Sequence, residues 1–312
     1  GAFARKVRQM IEGIILHGIL SSCTFALLAS GFTLSYGVSG IINLTHGAFF
    51  MIGTYFYSIL LDVFSISIPA EFSILSLILP VIASTILTGI VASIYYRLTL
   101  HQILGDELAT LVVSISGCIV FQQMIYLIFG SLWGMQLPVP ELLSGNITIW
   151  NVSISYSRVL AAVTSFCLFV ALWLLIATTK TGKAMKALSQ DHEAAMLMGI
   201  STEKMYMLTA AISAGLSSIA GVMIVSSTTR VGSAIMWLQP LAISFAIVVL
   251  GGLGSLKGTL VGGLIFGFSR TIVELTVPLG GAIVDAVPFL ILLCVLVVRP
   301  KGLFGKRVEM ED

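Results

Sequence analysis

Long apolar runs recur from one end of this chain to the other, and they restrict what it can fold into. About 20 consecutive apolar residues are enough to cross a bilayer as a helix. Only 10% of the 312 residues are charged, whereas a soluble domain carries roughly 25%. A surface so poor in charge is incompatible with water, and the chain is therefore predicted to be an integral membrane protein.

The pattern within the runs selects the kind of span. Lipid leaves backbone N–H and C=O groups without partners, so a spanning segment must be a helix or part of a closed barrel. The runs are continuous rather than alternating, which favours helices. We predict an all-α polytopic protein with about 8 to 9 transmembrane helices, some of them broken or re-entrant, in one domain over residues 1–312.

Basic residues predict the sidedness of the spans, because lysine and arginine concentrate on the cytoplasmic side. The segment 131–157 has no basic residue, so we expect it to be an extracytoplasmic loop, with a hairpin within Asn146–Tyr156. The segment 180–204 and the end of the chain are expected to be cytoplasmic. Their basic residues are Lys180, Lys183, Lys186, Lys204, Arg299, Lys301, Lys306 and Arg307.

The amino-terminal arm does not fit this scheme. Three full crossings before Arg97 would place Arg5, Lys6 and Arg8 outside, against the charge rule. A break or re-entrant turn in Ile41–Leu61 would return the arm to the inside. The sequence leaves the side of the amino terminus open.

A polar segment, Thr181–Ile200, separates two long apolar runs. At helical spacing, Gly199 falls where a helix C-cap glycine belongs. A short helix of this kind fits a groove on another protein, although a solvated loop helix without a partner has the same pattern. The small-residue face comprises Ala184, Ala187, Leu188, Asp191, Ala194, Ala195 and Met198.

Two glycine-rich interruptions precede small-residue helices, at Ser35–Gly53 and Val249–Gly267. Paired interruptions of this kind indicate the translocation path of a transporter; ordinary helix packing through glycine is the alternative. A helix that starts inside the membrane would offer free N–H groups to a carboxylate, although Asn43 or Thr45 could instead only cap it. The candidate path residues are Asn43, Thr45, His46, Gly47, Gly251, Gly252 and Gly254.

Enzyme signatures are absent from the sequence: it has no HExxH, no GxSxG and no phosphate-binding GxxxxGK[ST] loop. Any ATP hydrolysis must therefore belong to another chain. The four cysteines lie far apart inside apolar runs, which favours buried apolar packing over disulfides or metal ligands. We predict no catalytic residue and no metal site.

Four motifs in order resemble those of the permease subunits of ABC importers for branched-chain amino acids, the LivH/LivM type. They are the glycine-rich Gly31–Gly53, the EAA-xxx-G pattern within Thr181–Ser201, Val248–Gly263 and Arg299–Lys306. The resemblance covers nearly the whole chain. It implies that the segment 180–204 docks on an ATPase through Lys183, Lys186, Asp191, Glu193, Ala194, Ala195 and Gly199.

The resemblance further implies a second permease, identical or homologous, two cytosolic ATPases that bind ATP and Mg²⁺, and an extracytoplasmic substrate-binding protein. No cofactor is expected in this chain and no nucleic acid among its partners. The expected location is the inner membrane of a prokaryote and the expected cargo is leucine, isoleucine and valine. Importers of urea and other small solutes share much of the pattern. Two alternatives belong to other classes of protein. One is a stand-alone carrier or channel, and the other is a membrane-embedded enzyme that uses His46 with Asp62 or Glu274.

Overall fold

The computed structural model describes residues 2–67, 73–103, 105–129, 137–139, 141–150, 152–228, 230–231, 235–277, 283–284, 286–299 and 302–305. Within these residues, seven helices are long and apolar enough to cross a membrane, and two shorter apolar helices accompany them. The predicted all-α polytopic fold is confirmed.

Helices make up nearly all of the described chain. They are α1 (Ala2–Ser39), α2 (His46–Ser67), α3 (Ser73–Leu98), α4 (Glu107–Phe129), α5 (Tyr156–Thr178), α6 (Lys180–Leu188), α7 (His192–Leu197), α8 (Thr202–Thr228), α9 (Leu238–Gly251), α10 (Leu256–Thr276) and α11 (Ala286–Val298).

Four short strands lie between the helices. The predicted hairpin is confirmed: β2 (Asn146–Ile149) pairs antiparallel with β3 (Val152–Ser155), and Trp150 takes a positive φ of 50° at the turn. The other pair, β1 (Leu137–Pro138) and β4 (Arg230–Val231), joins two loops far apart in sequence. We call the end of the bundle that carries β2 and β3 the hairpin face.

Helix α10 fits closely between two neighbours because it carries glycines on two faces. A Cβ at Gly263 would lie 2.9 Å from the Cβ of Ala26 on α1, and a Cβ at Gly267 would meet Ser22 of the same helix. A Cβ at Gly262 would lie 2.6 Å from the carbonyl oxygen of Ile247 on α9. The small-residue pattern is thus confirmed as a close-packing device.

The course of α1 shows which end of the bundle carries its amino terminus. In its amino-terminal half, Nδ1 of His17 lies 3.3 Å from Nη1 of Arg158, which follows the hairpin directly. Near its end, Gly37 packs on Gly254, at the opposite end of the bundle where α6 and α7 also lie. The amino-terminal end of α1 is therefore on the hairpin face. The opposite end, defined by α6 and α7, is called the coupling face below.

Candidate functional site

The first glycine-rich interruption is a return of the chain into the bundle. Helix α1 ends where Gly40 adopts a φ of +69°, and its N–H donates to the carbonyl of Tyr36 at 2.8 Å. Asn43 then accepts a hydrogen bond through Oδ1 from the backbone N–H of Thr45 at 3.0 Å. The carbonyl of Thr45 accepts the N–H of Phe49 at 3.1 Å, so Thr45 occupies the cap position of α2. Of the predicted path residues, Asn43 thus has a turn-forming role.

His46, the first residue of α2, is buried at the centre of the molecule. Its Nε2 lies 2.9 Å from the carbonyl oxygen of Leu28, and its Nδ1 lies 3.3 Å from Oγ of Ser213 on α8. Ser217 also donates to its backbone carbonyl at 3.1 Å. Leu28 precedes the end of α1 by eleven residues, or about 16 Å of helix at 1.5 Å per residue. Helix α2 therefore begins well inside the bundle, as the broken-helix prediction requires. The break does not bring the amino-terminal end of α1 to the face that carries α6 and α7, as that prediction expected.

A second helix also begins inside the bundle and meets the first. Helix α9 has 14 residues, about 21 Å of helix, too short for the roughly 30 Å of a bilayer core. The start of α9 lies against Gly47 of α2. A Cβ built on Gly47 would lie 2.5 Å from the carbonyl oxygen of Trp237 and 2.6 Å from the Cβ of Leu241. The starts of α2 and α9 are thus in direct contact.

The second predicted interruption has a different role. Gly252 and Gly254, with φ of +100° and +77°, form a tight reversal between α9 and α10 at the coupling face. Gly251 is buried there against Gly258, and its carbonyl accepts the N–H of Phe304 at 3.0 Å. Gly254 lines the larger of the two cavities described below. The two interruptions are therefore not structural counterparts, because the partner of the α2 start is the α9 start at Leu238.

Two cavities open toward opposite ends of the bundle. The coupling-side cavity, of about 1120 Å³, lies between the segment Tyr36–Ile41, α6, the start of α7 and the start of α10. The hairpin-side cavity, of about 420 Å³, is lined by α1 from His17 to Leu28 and by residues of α2, α5, α8, α9 and α10.

Three rings close the space between the cavities. On α1, the lining of the hairpin-side cavity ends at Leu28 and the lining of the coupling-side cavity begins at Tyr36. Phe32 lies between these two residues. Its ring contacts His46 edge-on with centroids 5.6 Å apart, and Phe245 of α9 at 6.0 Å. Phe32 and His46 are only 1% and 2% exposed. We call these three residues the central plug; it separates the two cavities in this conformation.

The polar segment Thr181–Ile200 differs from the single helix that its spacing suggested. It forms two helices: α6 ends at Leu188 with Ser189 as its C-cap, and Asp191 caps the start of α7, where its Oδ1 accepts the N–H of Ala194 at 2.9 Å. The predicted common face from Ala184 to Met198 is therefore wrong. Gly199 follows α7 with a φ of +81°, and the predicted C-cap is confirmed.

The exposed face of this segment also differs from the predicted one. Ala195 is 4% exposed and packs into the core of its own chain, so its methyl group supports α7 from behind. Glu193 and Ala194 are exposed, as are Lys183 and Lys186 on α6, and Lys186 lines the coupling-side cavity. The outermost side chains are apolar: Leu197 is 89% exposed and Met198 83%.

Helix α7 is tied to the long helix α8. Nδ1 of His192 lies 2.9 Å from the phenolic oxygen of Tyr206, and the two rings stack at 5.9 Å with an angle of 9°. Further along the same helix, Ser213 and Ser217 contact His46. A single rigid element thus connects the exposed tip of α7 with the central plug.

Several of these residues were not predicted from the sequence. Ser213 and Ser217 are spaced four apart on a small-residue helix, a pattern that places both on one face and could have indicated a contact with a buried polar group. The apolar triplet Met196–Met198 inside a polar segment is a signal of an exposed contact surface. The contact between His17 and Arg158 could not be predicted from the sequence, because the two residues are 141 positions apart.

Helices that start inside the bundle, two opposed cavities and a closed plug between them define a multi-pass membrane protein of the transporter class. The family model described as "Branched-chain amino acid transport system / permease component" matches residues 14–296. The chain belongs to this family.

Curated relatives match the chain over nearly its full length. The chain is 29% identical over 306 residues to the high-affinity branched-chain amino acid transport system permease protein BraD of Pseudomonas aeruginosa, covering 95% of this chain and 96% of BraD. It is 28% identical over 321 residues to the corresponding protein LivH of Escherichia coli K12, covering 99% and 98%. PsaBC from Streptococcus pneumoniae, solved in complex with Fab, has the same fold with a TM-score of 0.52 at 15% identity, covering 95% of this chain and 97% of that one.

Proposed function

We propose that this chain forms the translocation path of an ATP-driven importer for leucine, isoleucine and valine, and that α6 and α7 dock on a cytosolic ATPase. The observation that carries the proposal is the connection from the exposed tip of α7, through α8, to the plug between two cavities. The names of the full-length relatives support the cargo.

The tip of α7 has the properties of a docking surface. Met196, Leu197 and Met198 expose apolar side chains beside Glu193 and Ala194, which are also exposed in the isolated chain. A contiguous exposed apolar patch beyond the lipid-covered spans marks a contact with another protein, and a short helix presented in this way fits a hydrophobic groove. The expected occupant is an ATPase subunit that binds ATP and Mg²⁺, since this sequence has no phosphate-binding loop.

Movement of the docked tip would reach the plug through hydrogen bonds. Closure of an ATPase pair would shift α7, and the contact between His192 and Tyr206 would pass the displacement to α8. Ser213 on that helix would then change its position relative to His46. ATP binding would thereby change which of the two cavities is connected to the translocation path. This is a shift in the populations of two conformations and requires no chemical step in this chain.

The rest of the assembly follows from the same proposal. The coupling face, with its lysines, would lie in the cytoplasm of a prokaryote and the hairpin face outside its inner membrane. A second permease subunit would complete the pair, and an extracytoplasmic binding protein would deliver cargo to the hairpin face. The amino-terminal end of α1 would then be outside, an exception to the charge rule.

The experiment that tests the proposal is purification of the chain from its native membranes in mild detergent, followed by mass spectrometry and reconstitution. We expect ATPase subunits and a second permease to co-purify, and the proteoliposomes to accumulate labelled leucine only with ATP and a binding protein. Uptake of urea but not leucine would change the cargo. Uptake by the chain without ATPases would contradict the importer and indicate a stand-alone carrier.

Replacing Gly199 by proline is expected to abolish transport. The φ of +81° at this position is closed to proline, which is fixed near −65°, and the change also removes an N–H that donates to the carbonyl of Met196 at 2.9 Å. Gly199→Asn is the matched control, because asparagine tolerates the left-handed region. We expect uptake near the wild-type rate for asparagine and none for proline, with both chains inserted. Equal uptake by the two variants would contradict the role of this turn.

A further inference from the structure

The hairpin-side cavity carries charged side chains of both signs at its rim. Arg158 begins α5 just after the hairpin, and Arg270 and Glu274 lie one helical turn apart on α10. The guanidinium carbon of Arg270 is 5.6 Å from the ring centroid of Phe25, which fixes this cation over an aromatic face of the same cavity. Arg158 and Glu274 are exposed at this end of the bundle, and Arg270 is half-buried.

Apolar side chains line the part of the cavity beside the central plug. Leu28 on α1, Phe50 on α2 and Ile243 on α9 line it and are 1%, 2% and 4% exposed. Leu28 lies directly before the central plug, because its carbonyl oxygen is the partner of His46. The cavity therefore combines charged side chains with an apolar surface next to the plug, and its lining also includes the polar Ser21, Thr24, Ser227 and Gln239.

We propose that this cavity is the cargo-binding site on the permease and that it recognises an α-amino acid as a zwitterion. The α-carboxylate binds at Arg158 and Arg270, and the α-ammonium binds at Glu274. The aliphatic side chain of the amino acid points down to Leu28 and Phe50. This assignment rests on the proposed function and adds the residues that select the cargo.

The chemistry of the two ends matches this ligand more closely than a neutral solute. Arginine presents several N–H donors in a planar fork that suits a carboxylate, and a carboxylate side chain accepts the N–H groups of an ammonium. A cavity of about 420 Å³ has room for one small amino acid with some water. An uncharged polar solute such as urea would leave the apolar end of the cavity unused.

The first test uses Arg270→Gln and Glu274→Gln in the complete transporter, reconstituted with its ATPases and binding protein. Each variant loses one charge-assisted hydrogen bond to the cargo, so we expect leucine uptake to fall about tenfold or more. Co-purification of the ATPase subunits checks that each variant still assembles. Arg8→Gln is the control with the same substitution: its guanidinium is 82% exposed, pairs with Glu12 at 2.8 Å and lies away from the cavity.

The second test reads occupancy directly and does not need the charge variants to fold. Ser21, half-buried in the cavity wall, is replaced by cysteine in a background without the four native cysteines, and labelled with a membrane-impermeant maleimide in the reconstituted complex. We expect leucine to slow the labelling of this cysteine. At the same concentration, 4-methylpentanoate, which lacks the ammonium group, and 3-methylbutylamine, which lacks the carboxylate, should slow it much less.

The outcomes separate this inference from the proposed function. If the wild-type complex takes up leucine, and both charge variants do so at the same rate, the zwitterion site is wrong while the importer stands. Equal protection of the cysteine by leucine and by both analogues would also overturn it. Failure of the wild-type complex to transport leucine would overturn the cargo and this site together.

Discussion

Replacing Leu197 by aspartate is expected to abolish ATP-dependent uptake and to release the ATPase subunits from the purified complex. The side chain is 89% exposed in the isolated chain, so the substitution should leave the fold of the permease unchanged. At a docked interface, the change removes the burial of a leucine, worth about 1.5–3 kcal/mol, and buries a carboxylate. Together these effects predict an affinity loss of about 100-fold or more.

Leu197→Met is the matched control for this prediction, since it keeps an apolar side chain of similar volume at the same position. Co-purification of the ATPases with the two variants is the measurement, and uptake in proteoliposomes is the second readout. Retention of the ATPases by the aspartate variant would move the docking surface away from the tip of α7. Loss with both variants would indicate a contact that requires the shape of leucine.

Replacing Gly47 by alanine is expected to destabilise the protein by about 1–3 kcal/mol, the usual cost of overpacking. A Cβ at this position approaches the carbonyl oxygen of Trp237 to 2.5 Å and the Cβ of Leu241 to 2.6 Å, so the starts of α2 and α9 must separate. Since His46 is the preceding residue, the hydrogen bonds of the plug should be disturbed as well. Thermal unfolding in detergent measures the stability, and leucine uptake measures the effect on the path.

Gly13→Ala provides the comparison for Gly47→Ala. Its Cβ would meet only Cδ1 of Leu275, at an ordinary contact distance of 3.5 Å. In a helix interior, alanine is favoured over glycine by up to about 1 kcal/mol. We therefore expect no loss, or a small gain, in the melting temperature. Similar losses for both variants would show that the contact between the two helix starts carries no special constraint.

The sequence predicted the spans and the small-residue seams because both depend on local composition. An apolar run becomes a helix wherever lipid surrounds it, and a glycine spacing such as Gly263 and Gly267 marks one helix face without reference to its partner. The interruption before His46 was also predictable, since Gly40 and Asn43 are residues that end and turn a helix. These predictions agree with the structure at the level of elements.

The predictions that failed required knowledge of neighbours. Helical spacing placed Ala195 on an outer face, whereas α6 ends at Leu188, Asp191 caps a second helix, and α7 then turns Ala195 into the core. The match between two glycine-rich segments suggested paired interruptions, yet the contact of Gly47 is with Trp237, in a segment without such a pattern. The hairpin-side cavity brings together Arg158 of α5 and Arg270 of α10, an arrangement that no local signal encodes.

The central plug has a consequence for energetics across a membrane. Its three rings come from Phe32, His46 and Phe245, and its polar contacts are made by backbone carbonyls and a serine hydroxyl rather than by ion pairs. Opening it moves no fixed charge of these residues through the field, and a zwitterion has no net charge. One elementary charge crossing 100 mV exchanges about 2.3 kcal/mol with the membrane potential. The import step itself should therefore proceed at nearly the same rate in energised and de-energised vesicles, if the chain works as the proposed importer.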